Sequence, residues 1–215
     1  MPLRTKKTEG KLYRVANLSR LEALGDAVFA FALTLLALDI RLPQIASNAL
    51  AQGLWELLPK LLVFVFAFLL IAQQLDVHQR TMMHIDHADG LFVWLYLLSL
   101  MFVVLMPASA DILGRYPFQP LVLIVFGFNT ALLCLTSWIM LLHASQRGKL
   151  LDGEIGPNVI KLIARLWLYP PLIIVVTIPL VFVSVYIVYA IWFLMPIFSY
   201  SYTSWTFRRF RKDPK

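Results

Sequence analysis

Six runs of mainly apolar residues, at about 20–40, 54–75, 91–110, 118–143, 159–179 and 182–205, leave this chain few ways to fold. Each is about 20 residues or longer, enough for an α-helix rising 1.5 Å per residue to cross the roughly 30 Å hydrocarbon core of a bilayer. In lipid every backbone N–H and C=O must be satisfied within the protein, so such runs fold as helices. The chain reads as an all-α, six-span transmembrane bundle. Its 60% share of hydrophobic residues and mean hydropathy of +0.76 exceed what a soluble domain carries, about 45–50% apolar. Little chain remains for anything else: a basic tail at 1–19, the helical domain at 20–206 and a second basic tail at 207–215.

Charge placement orients the bundle, because short loops rich in Lys and Arg stay cytoplasmic. With six spans both termini lie on one side, and that side holds all of the 19 basic residues except Arg41, Lys60 and Arg115. Both termini are therefore expected in the cytoplasm. The net charge of +7 then follows from topology and contact with anionic lipid, with no need of nucleic acid. The one cysteine, Cys134, lies in an apolar run and reads as a packing residue. The first run is preceded by a basic tail, contains Asp26 and lacks a small-residue cleavage site, so it reads as a retained helix and not a signal peptide.

That first run opens with patterned charge. Arg20, Glu22 and Asp26 stand at its entry, Asp39 and Arg41 close it, and Ala27 to Leu38 carry no charge and a single hydroxyl, Thr34. Ionisable groups at such depth are costly and usually functional. Arg20 and Asp26 are about 240° apart around a helix, so neither can pair with the other along one face. Two stripes run beside each other at three- and four-residue spacing: Ala23, Ala27, Ala30, Thr34 and Ala37, and the larger Leu24, Val28, Phe31, Leu35 and Leu38. The small stripe suits close helix packing, and the large one suits lipid or core. Ser19 and Glu22 match a capping box, which predicts a helix start there and a disordered or surface-lying tail before it.

Elsewhere the sequence is mostly structural. The second run ends in Gln73-Gln74-Leu75-Asp76-Val77-His78, polar groups that should face protein. His84, Asp86, His87 and Asp89 in the following connection suggest a metal site, but two histidines are too few for a catalytic coordination sphere, and a pH-responsive loop is the plainer reading. The third run is expected to stop at Pro107, with Asp111, Gly114, Arg115 and Pro117 in an external turn. Asn129, Thr130, Thr136 and Ser137 in the fourth read as hydrogen-bonding groups between helices. Pro170, Pro171 and Pro179 should kink or break the fifth. Aromatic residues from Tyr186 to Trp205 form a belt in the sixth. No P-loop, nucleophile elbow, H-E-x-x-H pair or T-V-G-Y-G filter is present.

Arg20-Leu-Glu-Ala-Leu-Gly-Asp26, followed by an apolar helix, resembles the first-span R-x-x-x-F-S-D signature of the transmembrane protein 175 family, prokaryotic branch. Arg20 and Asp26 match, while Leu24 and Gly25 stand where Phe and Ser are expected. His78 at the end of the second span and Pro107 at the end of the third extend the likeness. Leu75 replaces a frequent Trp, and Tyr96 stands where the family has Asn.

The resemblance implies a potassium-permeable cation channel, assembled as a homotetramer whose first helices line one pore, with no carbonyl filter and no cofactor. The family's narrow part falls here on Phe31, Leu35 and Leu38, with Thr34 at a hydroxyl position beside them. Phe31 departs from the family's usual Ile or Leu. Along a helix these three span about 10 Å, so four copies make an apolar constriction that can gate by dewetting. Asp26 lies about 140° from Phe31 and is expected, with Arg20, to tie the helix bases together through neighbouring spans, with His78 a candidate partner. Asp39 is placed at the external mouth, where it draws cations or pairs with Arg41. A prokaryotic plasma membrane is the expected location. The competing readings are a proton channel using Asp26, His78 and the internal histidine loop, and a small transporter or membrane enzyme using the His84–Asp89 loop.

Overall fold

The structure, a computed structural model, describes residues 3–38, 40, 50–83, 85, 88–146 and 167–195. It is all helical apart from connections: α1 is Leu3–Leu38, α2 Leu50–Met82, α3 Gly90–Arg115, α4 Pro120–Gln146 and α5 Tyr169–Thr177. A 3-10 turn, Ile178–Phe182, continues α5, and α6 covers Val185–Met195. The stretches Leu18–Leu38 and Ala51–Met82, with all of α3 and α4, are each long and apolar enough to cross a membrane; the other two helices are shorter as described. This is a multi-pass membrane protein. The fifth and sixth expected spans continue onto residues outside the described ones.

The exposed surface agrees with a bilayer. Leu97, Leu98, Met101, Val104 and Leu105 of α3 all face outward, an arrangement that lipid or other protein must cover. Exposed Trp94 and Tyr116 bracket them, about 33 Å apart at helical rise, which suits the two interfaces of one membrane.

Two expectations about helix ends need correction, and a third is met in a particular way. First, α1 does not begin near Ser19: it runs unbroken from Leu3. The upstream residues are rich in Lys, Arg and Leu and lack an internal proline, and a single Gly10 does not stop the helix. Ser19 and Glu22 sit in its interior and not at its start.

Second, α3 does not stop at Pro107 but passes through it to Arg115, so Asp111 and Gly114 are helical. Proline removes the backbone donor to the Val103 carbonyl, and polar groups bonded to the backbone beside that gap can brace the helix. Asn129 of α4 donates to the Phe102 carbonyl at 3.4 Å, and Ser109 donates to the Met106 carbonyl at 2.9 Å. Asn129 also reaches the Ser109 hydroxyl at 3.5 Å, so the hydrogen-bonding role read for the fourth run holds there.

Third, Pro170 and Pro171 occupy the first turn of α5, where a missing N–H costs nothing. They start the helix, so the break expected there falls at its N-terminus. Pro179 does fall where α5 tightens into its 3-10 turn.

α3 and α4 form the most extensive pair, and α1 and α2 pack on α3 from the other side. The α5–α6 hairpin is pinned to α4 by Trp192, whose indole N–H donates to Thr177 at 2.8 Å. Its ring lies over Gly127, where a Cβ would come within 2.6 Å of it. Phe66, Phe126 and Phe193 complete this aromatic core.

Candidate functional site

α1 presents two unlike sides. Gly25, Phe29, Ala32 and Leu36 recur at three- and four-residue spacing and are buried against the bundle. The opposite side carries both stripes noted in the sequence. Ala23, Ala27, Ala30, Thr34 and Ala37 are exposed, as are Leu24, Phe31 and Leu38, with Leu35 half-buried. Phe31 and Leu38 are each 63% exposed, more than a core role allows. Nothing in the described subunit covers this side.

The chemistry of that face is narrow. It is apolar except for Thr34, whose hydroxyl donates to the Phe31 carbonyl one turn back at 2.8 Å. The hydroxyl proton is thus turned inward, leaving the oxygen's acceptor side free to face a cation. Asp39, expected at the external mouth, lies outside the described residues.

At the Asp26 end of the apolar part of α1, His78 of α2 packs against α1. It is buried, its ring centroid 5.3 Å from that of Phe29 and 5.2 Å from that of Tyr96. One aromatic stack therefore joins α1, α2 and α3. Asp26 lies close enough for its charge to act on both His78 and Tyr96. Arg20 and Asp26 are themselves exposed, and no ion pair among the described residues joins either to α2 or α3.

Tyr96 carries more than the sequence suggested. Its hydroxyl donates to the Leu21 carbonyl of α1 at 2.7 Å and lies 3.4 Å from His78 Nε2. A Cβ at position 25 would come within 2.0 Å of that hydroxyl. The two departures from the family pattern, Gly25 and Tyr96, thus meet in space. The hydroxyl comes from α3 and stands where a side chain on residue 25 would otherwise sit. Two simultaneous departures in helices expected to pack together were the signal available in the sequence.

The His84–Asp89 segment offers little chemistry. His84, Asp86 and His87 lie outside the described residues. Asp89 is engaged structurally: it caps α3 through the Phe92 N–H at 2.8 Å and holds His143 Nε2 of α4 at 2.9 and 3.0 Å. Among the described residues no three His, Cys, Asp or Glu side chains cluster closely enough to hold a metal ion.

Comparison with known proteins agrees with this geometry. A profile of the family described as "Endosomal/lysosomal potassium channel TMEM175" matches residues 20–107. A potassium channel of Chamaesiphon minutus is 26% identical over 185 residues, covering 83% of this chain and 91% of the relative. A potassium channel of Streptomyces collinus is 35% identical over 101 residues, 45% of this chain and 48% of that one. The fold is similar to the crystal structure of a lysosomal potassium-selective channel TMEM175 homolog from Chamaesiphon minutus. The TM-score is 0.77 at 24% identity, over 86% of this chain and 96% of that one. The Arg20–Asp26 motif, His78 and the packing of α1 to α3 fall within the matched residues 20–107, and over that stretch the chain is similar to the transmembrane protein 175 family.

Proposed function

We propose that this chain is the subunit of a potassium-permeable cation channel, a homotetramer in which α1 of each subunit lines a single central pore. The observation that carries the reading is the uncovered face of α1, with Phe31, Leu35 and Leu38 in register and Thr34 beside them. The curated relatives named above are potassium channels. Four copies stack apolar rings over about 10 Å, a length sufficient to exclude water when narrow. Conduction then depends on widening these rings or turning Thr34 toward the axis, where its oxygen replaces part of the potassium ion's hydration.

Potassium is the permeant ion, and no cofactor or enzymatic step enters this account. Arg20 and Asp26 take their partners across the subunit boundary, because a carboxylate left facing lipid is costly. Asp39 attracts cations at the outer mouth. The basic tails hold both termini on the cytoplasmic side of a prokaryotic plasma membrane.

The test is native mass spectrometry of the purified protein, followed by potassium flux into proteoliposomes. A tetramer that passes potassium faster than sodium is expected. A monomer or dimer with full flux contradicts the central-pore reading.

A further inference from the structure

Gly25 is the one residue of the buried α1 seam without a side chain, and the Tyr96 hydroxyl fills the space over it. The hydroxyl reaches the α1 backbone itself, donating to Leu21 O, the carbonyl that Gly25 N–H serves within the helix. A glycine in mid-helix is a weak point, and a polar group inserted at the i→i−4 ladder is a recognised cause of bending. Tyr96 is fully buried, and its ring is held by His78, which in turn stacks on Phe29. Turning α1 at this level must therefore move Phe29 off His78 and break the Tyr96–Leu21 bond.

The outer half of α1 follows that turn. Phe31 and Thr34 lie about 60° apart around the helix, so a rotation of about 30° decides which stands nearer a given axis. We propose that Tyr96 is a positioning residue for conduction: its hydroxyl latches the 21–25 turn in the setting that presents Phe31, and release of that bond is a step in opening. This rests on α1 being the pore helix.

The experiment uses the full chain in lipid nanodiscs for hydrogen exchange and in bilayers for potassium current, comparing wild type, Tyr96→Phe, Gly25→Ala and the double variant. Tyr96→Phe keeps the ring and removes only the hydroxyl. It is expected to speed amide exchange at residues 21–29 about tenfold, leave α4 unchanged and raise potassium current several-fold. Gly25→Ala should reproduce both effects by displacing the hydroxyl, and the double variant should add nothing to either. If Gly25→Ala does not fold, Tyr96→Phe alone decides.

Unchanged exchange at 21–29 in Tyr96→Phe overturns the latch. Faster exchange with unchanged current, in a protein whose wild type conducts, makes the bond purely structural and overturns its part in opening. A correctly assembled wild type without current, while exchange still responds, overturns the pore reading and the opening step with it, although the bond to Leu21 is then established by exchange alone.

Discussion

Lys60 Nζ of α2 stands 3.2 Å from one carboxylate oxygen of Asp111 in α3, and the other oxygen takes Arg115 at 2.8 Å. The pair ties α2 to α3 at the end of the bundle opposite Tyr96. The stem of Lys60 runs over Gly114, where a Cβ would meet its Cγ at 3.0 Å. Because both charged side chains are only about one-fifth exposed, removing Asp111 strands Lys60. Asp111→Leu should cost about 2 kcal/mol, below the roughly 3–5 kcal/mol of a fully buried pair. Thermal unfolding of the solubilised protein checks this, and Lys60→Met combined with Asp111→Leu should cost less than Asp111→Leu alone.

Gly127 is predicted to be sterically obligatory. Alanine there places a methyl within 2.6 Å of the Trp192 ring, which overpacks a filled core and should cost about 1–3 kcal/mol. Trp192→Phe removes the clashing ring atoms and should reduce that increment to near zero, although it loses the bond to Thr177. Unfolding midpoints of the four chains give the coupling directly.

Asn129 holds α3 together around Pro107. Asn129→Leu leaves the Phe102 carbonyl and the Ser109 hydroxyl without this donor, and should cost about 1 kcal/mol, typical of a hydrogen bond between membrane helices. Hydrogen exchange should rise locally, at the amides just after Pro107. A uniform rise across α3 would mean that the bond does not act at the proline.

That role also marks the limit of the sequence. The apolar runs of α1 to α4 were legible because a bilayer permits few other structures for them. The passage of α3 through Pro107 was not, because proline ends a helix by local rules and Asn129, which braces the backbone beside it, lies on another element. The same holds for Gly25 and Tyr96: each alone reads as a lost motif residue, and only packing joins them. The uncovered face of α1 was visible as two stripes, but small and large apolar residues look alike whether they meet lipid, core or pore. Helix continuity back to Leu3 was hidden by composition, since a basic, polar segment resembles a disordered tail as much as a helix.

Asp26 is predicted to act in assembly. It is exposed on the single chain, and no ion pair among the described residues satisfies it. Asp26→Asn should lower the yield of tetramer several-fold, with current per assembled tetramer preserved. Size-exclusion profiles beside single-channel recordings separate the two. A normal tetramer that has lost permeation would contradict this assignment.

The central claim is that α1 lines a potassium pathway narrowed at Phe31. Its most direct test is the reversal potential of the purified protein in planar bilayers under opposing potassium and sodium gradients, repeated under a pH gradient, for wild type and Phe31→Ala. The account predicts a reversal potential that follows potassium and ignores pH, with a larger leak current in Phe31→Ala. A reversal potential that tracks the proton gradient, or identical currents from both proteins, would contradict it.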